Sequence, residues 1–422
     1  MKPYMPRIYD DVLARRLEAK GAVLIEGVKW CGKTTTALQQ AASVIYMQDP
    51  ATREQSLMLA EIRPAELLKG ETPRLIDEWQ QAPKLWDTIR FEVDQRDAFS
   101  QFILTGSTVP PDLKEISHSG TGRIARMRMR TMSLYETGDS TGEVSLQSLF
   151  EGNELPLAHV DTSLEKAAFF TCRGGWPQAI GQPEHIALQQ AFDYIDAVAQ
   201  TDISSIDGVM RDEYKARSLI RSYARITSSQ AAASTIEADL KVSDSMSIDT
   251  IQSYVNALRK IFVIEDMPAW NPNLRSKTAI RTSPTRHFVD PSIGTAALGL
   301  GPADLIADLE TFGLFFESLC VRDLRVYADA LVGEVFHYRD KSDRECDAVM
   351  HLRNGSYGLI EVKLGGDRQI EEAAQNLLRL KASIDTKKMK EPAFLMVLTG
   401  ITPYSFARKD GVQVVPLTCL RA

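Results

Sequence analysis

The sequence contains few cysteines, and their spacing suggests neither a metal site nor a disulfide framework. Five cysteines are scattered through 422 residues, and no two of them stand in a C-x-x-C arrangement. An odd number of widely separated cysteines is not the pattern of a zinc-binding or disulfide-stapled domain. We therefore expect a protein of a reducing compartment.

Long apolar runs and an excess of positive charge are also missing. No stretch approaches the roughly 20 apolar residues that span a bilayer, and residues 1–6 lack the apolar core of a signal peptide. The formal net charge of -7 argues against a protein that coats nucleic acid through bulk charge, although a local basic face is compatible with it. We expect a cytoplasmic protein without membrane contact.

The composition is that of an ordinary globular chain. Hydrophobic residues make up 44% of the sequence and charged residues 25%, a balance that excludes disordered and fibrous classes. At typical domain sizes this length accommodates about two to four cores. We therefore predict an α/β multidomain protein.

A phosphate-binding loop is the clearest motif. Short apolar runs alternate with helix-like stretches up to about residue 140, which predicts a parallel sheet covered by helices. The first run leads into GVKWCGKT at residues 27–34 and then into an amphipathic helix, the order of a P-loop. Inward-pointing amides and the helix N-terminus favour a triphosphate. A glycine-rich turn is the alternative. We predict that ATP is bound by Gly27, Val28, Lys29, Trp30, Cys31, Gly32, Lys33, Thr34 and Thr35.

Four side chains acquire roles from the chemistry of a bound triphosphate. Lys33 should reach the β and γ phosphates as a catalytic group, and the Thr34 hydroxyl should ligate Mg²⁺. The apolar run at 75–76 ends in two carboxylates. Asp77 would hold Mg²⁺ through water, and Glu78 would orient or deprotonate the attacking water. A solvated turn is the alternative for this acid pair.

Later segments of the same domain offer groups for the γ phosphate. The run at 102–104 is followed by Thr105 and Ser107, whose hydroxyls could sense that phosphate, with an ST-turn as the alternative. Arg123 is the candidate for a charge-stabilising arginine, acting within its own chain or on a neighbouring subunit of a homo-oligomer. The alternative is a solvated basic strand edge, which also includes Arg126, Arg128 and Arg130.

The middle of the chain predicts helices. Residues 160–215 are helix-like apart from the RGGWP turn at 173–177, which supplies an aromatic anchor and no chemistry. Three helices are expected at 217–226, 231–240 and 248–261, the last with a polar face suited to bases and phosphates. We predict a winged helix that contacts DNA, or a protein-contact module of the same shape. The expected wing carries Arg275, Lys277, Arg281 and Arg286.

The tail combines carboxylates with a lysine. From about residue 311 the pattern is a helix, three strands, a helix and further strands, as in restriction-endonuclease-like domains. Asp347 lies in one strand, and Glu361 and Lys363 share a face of the next. Two carboxylates on Mg²⁺ beside a lysine can activate water against a phosphodiester. We predict that these three residues are catalytic, that both carboxylates ligate the metal, and that Glu317 and Gln375 complete the site.

Strand pairing decides whether those groups meet. A two-residue Asn354-Gly355 turn would set Asp347 opposite Val362 on the wrong face, whereas a three-residue loop sets it opposite Glu361. The nuclease interpretation requires the second arrangement. The alternatives are a hairpin with solvated charges and a decayed site retained for binding.

The chain resembles a family of bacterial and archaeal ATP-binding proteins that join an AAA-like ATPase domain to a carboxyl-terminal domain of unknown function. The resemblance extends over nearly the whole chain and rests on GVKWCGKTT, LIDEWQQAP, FILTGS, Gly122-Arg123 with MSLYETG, RGGWP, and the stretch from Gly313 through Glu317 to LIEVK. It implies ATP binding at residues 27–34, magnesium and hydrolysis at Asp77 and Glu78, and a PD-(D/E)XK-like fold at the end. It implies no substrate.

We accordingly expect an AAA-like P-loop ATPase domain over 1–145, a helical linker region over 146–210, a winged-helix-like domain over 211–305, and a PD-(D/E)XK nuclease-like α/β domain over 306–422. The first functional hypothesis is an ATPase whose nucleotide state controls a DNA-associated, nuclease-like tail. The second is an ATP-switched regulatory protein that docks on DNA or a protein partner and whose nuclease-like fold is inactive. A third is a protein that binds ATP and hardly hydrolyses it.

Overall fold

The computed structural model describes residues 3–108, 119–204, 209–243, 246–271, 283–341, 344–387 and 389–422. The chain divides into two compact units. The first comprises Met1–Thr131, Gln200–Asp212 and Asn256–Val263, and the second comprises Met132–Ala199, Glu213–Val255 and Ile264–Ala422. Of the helices within these described ranges, none combines the length and the apolarity needed to cross a bilayer.

The first unit is built on a parallel sheet with helices packed against it. Its strands are β1 (Ala22–Glu26), β2 (Ser43–Tyr46), β3 (Arg74–Asp77), β4 (Phe102–Gly106) and β5 (Ile124–Arg128). Its helices are α1 (Ile8–Ala19), α2 (Lys33–Leu38), α3 (Arg53–Ile62) and α4 (Leu85–Arg96). The order across the sheet is β2-β3-β4-β1-β5, and every neighbouring pair is parallel. The predicted α/β arrangement is confirmed.

The register of this sheet brings three sequence motifs to one edge. Ile25 on β1 pairs with Thr105 on β4, and Ile76 on β3 pairs with Leu104 on β4. Because parallel strands end at the same edge, the loop after β1, the acids at the end of β3 and the hydroxyls at the end of β4 are neighbours. The central strands β1 and β4 are mostly apolar and almost entirely buried, as is typical of the inner strands of a parallel sheet.

The second unit contains a mixed sheet and a two-stranded one. The strands are β6 (Val144–Ser145), β7 (Gly333–Arg339), β8 (Glu345–Leu352), β9 (Tyr357–Lys363), β10 (Phe394–Thr399), β11 (Phe406–Ala407), β12 (Gln413–Pro416) and β13 (Leu420–Arg421). The six-stranded sheet has the order β11-β12-β10-β9-β8-β7. The remaining pair is β6 with β13, so the segment just after the first unit adds a strand beside the last residues of the chain.

The helices of the second unit follow the predicted pattern of the middle and tail. They are α5 (Leu146–Phe150), α6 (Leu164–Arg173), α7 (Glu184–Ala197), α8 (Glu213–Ala224), α9 (Ala233–Ser243), α10 (Ile248–Lys260), α11 (Pro291–Leu298), α12 (Pro302–Ala307), α13 (Leu309–Ala330) and α14 (Asp367–Ser383). Helix α10 ends within the part of the chain that belongs to the first unit. The predicted order of helix, three strands, helix and strands is confirmed by α13, β7, β8, β9, α14 and β10.

The region predicted as a winged helix contains helices α8, α9 and α10, followed by two antiparallel bridges between Ile264 and Phe288 and between Met267 and Thr285. Arg275, Lys277 and Arg281 lie outside the described residues. The expectation that Arg286 contacts a DNA backbone is wrong. Its side chain is buried, its NH1 lies 2.8 Å from Asp266 Oδ2, and its Nε donates to a backbone carbonyl.

A buried polar network anchors the RGGWP turn. Trp176 is buried against Tyr194 and donates from Nε1 to Ser292 Oγ at 2.9 Å. Asp290 accepts from the Ser292 hydroxyl and from the backbone amide that precedes Trp176. Arg322 of α13 donates to Asp290 from the other side. The turn therefore has the structural role predicted from its sequence.

Candidate functional site

The loop between β1 and α2 is shaped by two glycines. A Cβ atom on Gly27 would lie 2.1 Å from the carbonyl oxygen of Met129, so a side chain has no room there. Gly32 has a φ of 99°, a conformation that side chains disfavour. Trp30 also has a positive φ, of 65°, and its ring is exposed. Val28 and Cys31 are buried and hold the loop to the domain.

The side chain of the loop lysine hydrogen-bonds to the backbone of the loop. Lys33 is buried, and its Nζ donates to the carbonyl oxygens of Gly27 and Val28, each at 2.9 Å. Helix α2 starts at this lysine, and the first backbone amides of a helix have no partner one turn earlier within the helix. Thr35 lies exposed on the same turn. A buried ammonium and the amino-terminal amides of a helix both favour an anion.

Asp77, the last residue of β3, accepts hydrogen bonds from two hydroxyls. Thr34 Oγ1 donates to Asp77 Oδ1 at 2.7 Å, and Thr105 Oγ1 donates to the same oxygen at 2.6 Å. The hydroxyl that the sequence assigned to Mg²⁺ is therefore in contact with the carboxylate assigned to the same ion. Oxygen atoms from hydroxyls and carboxylates are the ligands that Mg²⁺ prefers.

Glu78 is held just beyond the end of β3. It has left-handed backbone geometry, with φ 57° and ψ 48°, which turns the chain sharply after Asp77. Its Oε2 accepts from Ser107 Oγ at 3.3 Å and from the side-chain amide of Gln80. Thr105 and Ser107 thus contact the acid pair in this structure, and their predicted role toward a γ phosphate stays a prediction.

Two partners of the loop were not foreseen from the sequence. Lys29 Nζ lies 2.6 Å from Asp202 Oδ1, a buried carboxylate more than 150 residues away in the sequence. Arg7 donates from NH1 to the carbonyl oxygen of Cys31 at 2.7 Å. Neither residue stands in a recognisable motif, because long-range pairing of single charges leaves no periodic signal in a sequence.

Arg123 lies at the amino-terminal ends of the strands, whereas the P-loop follows the carboxyl-terminal end of β1. Its carbonyl accepts the amide of Ala22, where β1 begins, whereas the P-loop follows Glu26, where β1 ends. A strand of this length separates them by about 16 Å. The guanidinium Nε instead lies 2.7 Å from Asp94 Oδ1 on α4 and lowers the pKa of that carboxyl. The prediction that Arg123 acts on phosphates of its own chain is wrong, and a role toward a neighbouring subunit stays a prediction.

The tail brings its predicted residues together. Leu352 donates to the carbonyl of Ser356, which encloses a three-residue loop, and Ala348 pairs with Ile360. This is the odd parity that places Asp347 opposite Glu361. The Nζ of Lys363 lies 3.2 Å from Asp347 Oδ2 and 3.1 Å from Glu361 Oε2.

Burial dominates the electrostatics of this cluster. Burial first, and then the charge of Asp347, raises the pKa of Glu361 to about 8, against the lowering effect of Lys363. Burial alone would lower the pKa of Lys363, but the two carboxylates outweigh it and raise that pKa. Glu317 on α13 faces the same charges, and burial raises its pKa well above the usual value. The cluster therefore places the Lys363 ammonium beside two buried carboxyls, Glu361 and Glu317, whose raised pKa disfavours their ionised form.

The helix after β9 contributes a different residue from the one predicted. Asn376 Nδ2 donates to Glu361 Oε1 at 2.8 Å and to the backbone of β8. Gln375 donates instead to Glu371 on the exposed side of α14, so the expectation that Gln375 completes the site is wrong. The helical turn places adjacent residues about 100° apart, and only one of them faces the sheet. Among the described residues, no group of three or more His, Cys, Asp or Glu side chains is arranged to hold a metal ion.

Comparison with known proteins divides the chain into three parts. Residues 19–138 match the family described as AAA domain, residues 164–304 a domain of unknown function (DUF8612), and residues 312–420 another domain of unknown function (DUF4143). The predicted AAA-like P-loop domain is thereby confirmed. No significant match to a curated protein is found.

Two solved structures are similar at low identity. The Walker-type ATPase PABY2304 of Pyrococcus abyssi is 13% identical, with a TM-score of 0.43, over 70% of this chain and 96% of that chain. The helicase domain of Hef from Pyrococcus furiosus is 12% identical, with a TM-score of 0.20, over 61% of this chain and 68% of that chain. Both scores are too low to establish a shared overall fold.

Proposed function

We propose that the first unit binds ATP with Mg²⁺ and hydrolyses it. The observation that carries this proposal is the contact of the Thr34 and Thr105 hydroxyls with one oxygen of Asp77, at the end of β3 and beside the P-loop. This contact supports Thr34 and Asp77 as the proposed Mg²⁺ ligands. The donor set fits the ion, and the glycine geometry of the loop fits a phosphate chain that approaches the backbone closely.

Each residue of the proposed site has its own role in binding or hydrolysing the nucleotide. Lys33 exchanges its two loop carbonyls for phosphate oxygens, and the amides at the start of α2 donate to the same anion. Thr34 and Asp77 hold Mg²⁺, which when bound offsets the charge of the triphosphate. Glu78, kept in place by Ser107 and Gln80, accepts a proton from the attacking water.

Substitution of Glu78 tests hydrolysis separately from binding. Glu78→Gln should retain nucleotide affinity and lose about two or more orders of magnitude in the rate of phosphate release. Glu92→Gln is the matched control, because that carboxylate lies on α4 and pairs with Arg96. Equal turnover by wild type and Glu78→Gln would support the hypothesis of a protein that binds ATP and hardly hydrolyses it.

For the tail, we propose a nuclease-like domain whose activity depends on the nucleotide state of the first unit. Supporting this are the shared strand face of Asp347, Glu361 and Lys363 and the contact of Asn376 with Glu361. The assay is cleavage of DNA with and without Mg²⁺ and ATP. Wild type should cleave and Lys363→Ala should not, with Lys381→Ala, an exposed pair with Glu391, as the control. Absence of cleavage by both wild type and Lys363→Ala would contradict the nuclease proposal.

A docking role for the tail is the second candidate. It is favoured by the lysine that already pairs with both carboxylates and by the absence, among the residues described, of a three-carboxylate arrangement for a metal. Under this proposal ATP switches a domain that binds DNA or a protein. Steeply salt-dependent DNA binding that weakens when Arg275, Lys277 and Arg281 are neutralised would support a DNA partner. Binding to a protein that is insensitive to salt would support protein docking.

A further inference from the structure

A buried arginine that directly precedes the first helix hydrogen-bonds to the backbone of the P-loop. Arg7 is 6% exposed. Its NH1 donates to the carbonyl oxygen of Cys31 at 2.7 Å, and its NH2 donates to the carbonyl oxygen of Arg130 at 3.0 Å. One guanidinium therefore ties a peptide of the P-loop to the chain just after β5.

This contact determines where a P-loop amide points. The peptide bond between Cys31 and Gly32 is trans and planar, so its carbonyl and its N–H point in opposite directions. Because the Cys31 carbonyl is held toward Arg7, the Gly32 amide points away from Arg7. Gly32 belongs to the proposed phosphate-binding loop and immediately precedes α2.

We propose that Arg7 is a positioning residue for the phosphate cradle, and that it acts by fixing the orientation of the Gly32 amide toward a bound nucleotide. The inference rests on the proposed nucleotide-binding function. An arginine suits this task because its planar fork donates to two carbonyls at once, whereas a lysine carries the same charge without that geometry. Arg7 lies before the part of the chain that matches the AAA domain, which begins at residue 19.

The segment that carries Arg7 is itself fixed. Asp10 accepts the Arg7 backbone amide at 2.8 Å through Oδ2 and the Tyr4 hydroxyl at 2.6 Å through Oδ1. The Tyr4 hydroxyl also lies 3.3 Å from Thr36 Oγ1 on α2. The segment that carries the Arg7 guanidinium therefore also contacts α2, the helix that follows the P-loop. Because this guanidinium is already fixed, the Gly32 amide needs no reorganisation when nucleotide binds.

The test compares wild type, Arg7→Met, Arg7→Lys and the control Arg16→Met. Arg16 lies on α1 and donates to the carbonyl of Arg126, outside the loop. Affinity for magnesium ADP carrying an N-methylanthraniloyl label is measured by fluorescence titration. Thermal unfolding and hydrogen exchange of the Gly32 amide are measured without nucleotide.

Arg7→Met should bind the labelled nucleotide roughly 10- to 100-fold more weakly, as for one lost hydrogen bond to a charged group. The Gly32 amide should exchange faster, Arg7→Lys should recover only part of the affinity, and Arg16→Met should match wild type. Arg7→Lys that is folded, exchanges normally and binds as tightly as wild type would overturn the proposal, whether or not Arg7→Met folds. If wild type itself does not bind the nucleotide, the proposed function has failed instead.

Discussion

Replacement of Arg322 by Met should destabilise the second unit strongly. Arg322 is 1% exposed, and its Nε lies 2.8 Å from Asp323 Oδ1 and its NH1 3.2 Å from Asp290 Oδ2. Both carboxylates are fully buried. Methionine retains much of the side-chain volume but leaves these two carboxylates without the guanidinium. Removing one partner of a buried ion pair costs about 3–5 kcal/mol, and we expect the free energy of unfolding to fall by about that amount.

The loss should depend on pH. Burial raises the pKa of Asp323, and Arg322 opposes that rise. Without Arg322, the folded-state pKa of the carboxyl moves further above its unfolded value of about 3.9. A group with a raised folded pKa contributes stability at low pH and loses it as the pH rises through that pKa. The destabilisation caused by Arg322→Met should therefore be larger at pH 8 than at pH 5.

Urea unfolding followed by circular dichroism at both pH values measures the effect. Arg217→Met is the matched control, because Arg217 also lies between two carboxylates, Asp196 and Glu213, each at 2.7 Å, but on the surface. Exposed pairs contribute about 0–1 kcal/mol. If Arg322→Met and Arg217→Met lost equal stability, or if the loss did not change with pH, the reasoning about buried charge would be refuted.

Three further predictions concern the two sites. Gly27→Ala should abolish nucleotide binding and cost about 1–3 kcal/mol, because the new Cβ meets the Met129 carbonyl; thermal unfolding and nucleotide titration measure both, and normal binding would contradict it. The folded-state pKa of Glu361 is raised to about 8, so the free energy of unfolding of wild type should fall as the pH rises toward that value, whereas that of Glu361→Gln should not. Urea denaturation from pH 5 to 9 measures both, and the same pH dependence in the two proteins would disprove this. Arg123→Ala should leave the nucleotide affinity of the diluted monomer unchanged, and weaker binding in the same titration would return Arg123 to the site of its own chain.

The first unit could be predicted from the sequence because its motifs are local. A strand, a glycine-containing loop and a helix are contiguous at residues 22–38, and the acids and hydroxyls each directly follow a short apolar strand. Parallel pairing then forces those strand ends to one edge. The three-residue loop at 353–355 is similarly local, since its length alone sets which side chains of β8 and β9 share a face.

Residues that reach their partners through long-range contacts could not be predicted. Arg7 and Asp202 contact the P-loop from distant parts of the sequence, and neither belongs to a periodic pattern. Arg123 follows a glycine in a motif, but it directly precedes β5, and its distance from the P-loop depends on how β5 is aligned with β1 in the sheet. The choice between Gln375 and Asn376 depends on the rotation of α14 about its axis, which is set by packing against the sheet.

Nucleotide affinity of the Lys33→Ala variant tests the central claim most directly. The titration uses the labelled magnesium ADP with wild type, Lys33→Ala and the control Lys20→Ala, whose ammonium donates to the Gly122 carbonyl at the far edge of the sheet. We predict that Lys33→Ala binds at least roughly 10-fold more weakly than wild type, because a charged donor to the phosphates is lost, and that Lys20→Ala binds normally. Equal affinity of Lys33→Ala and wild type would contradict the assignment of a phosphate cradle to residues 27–34.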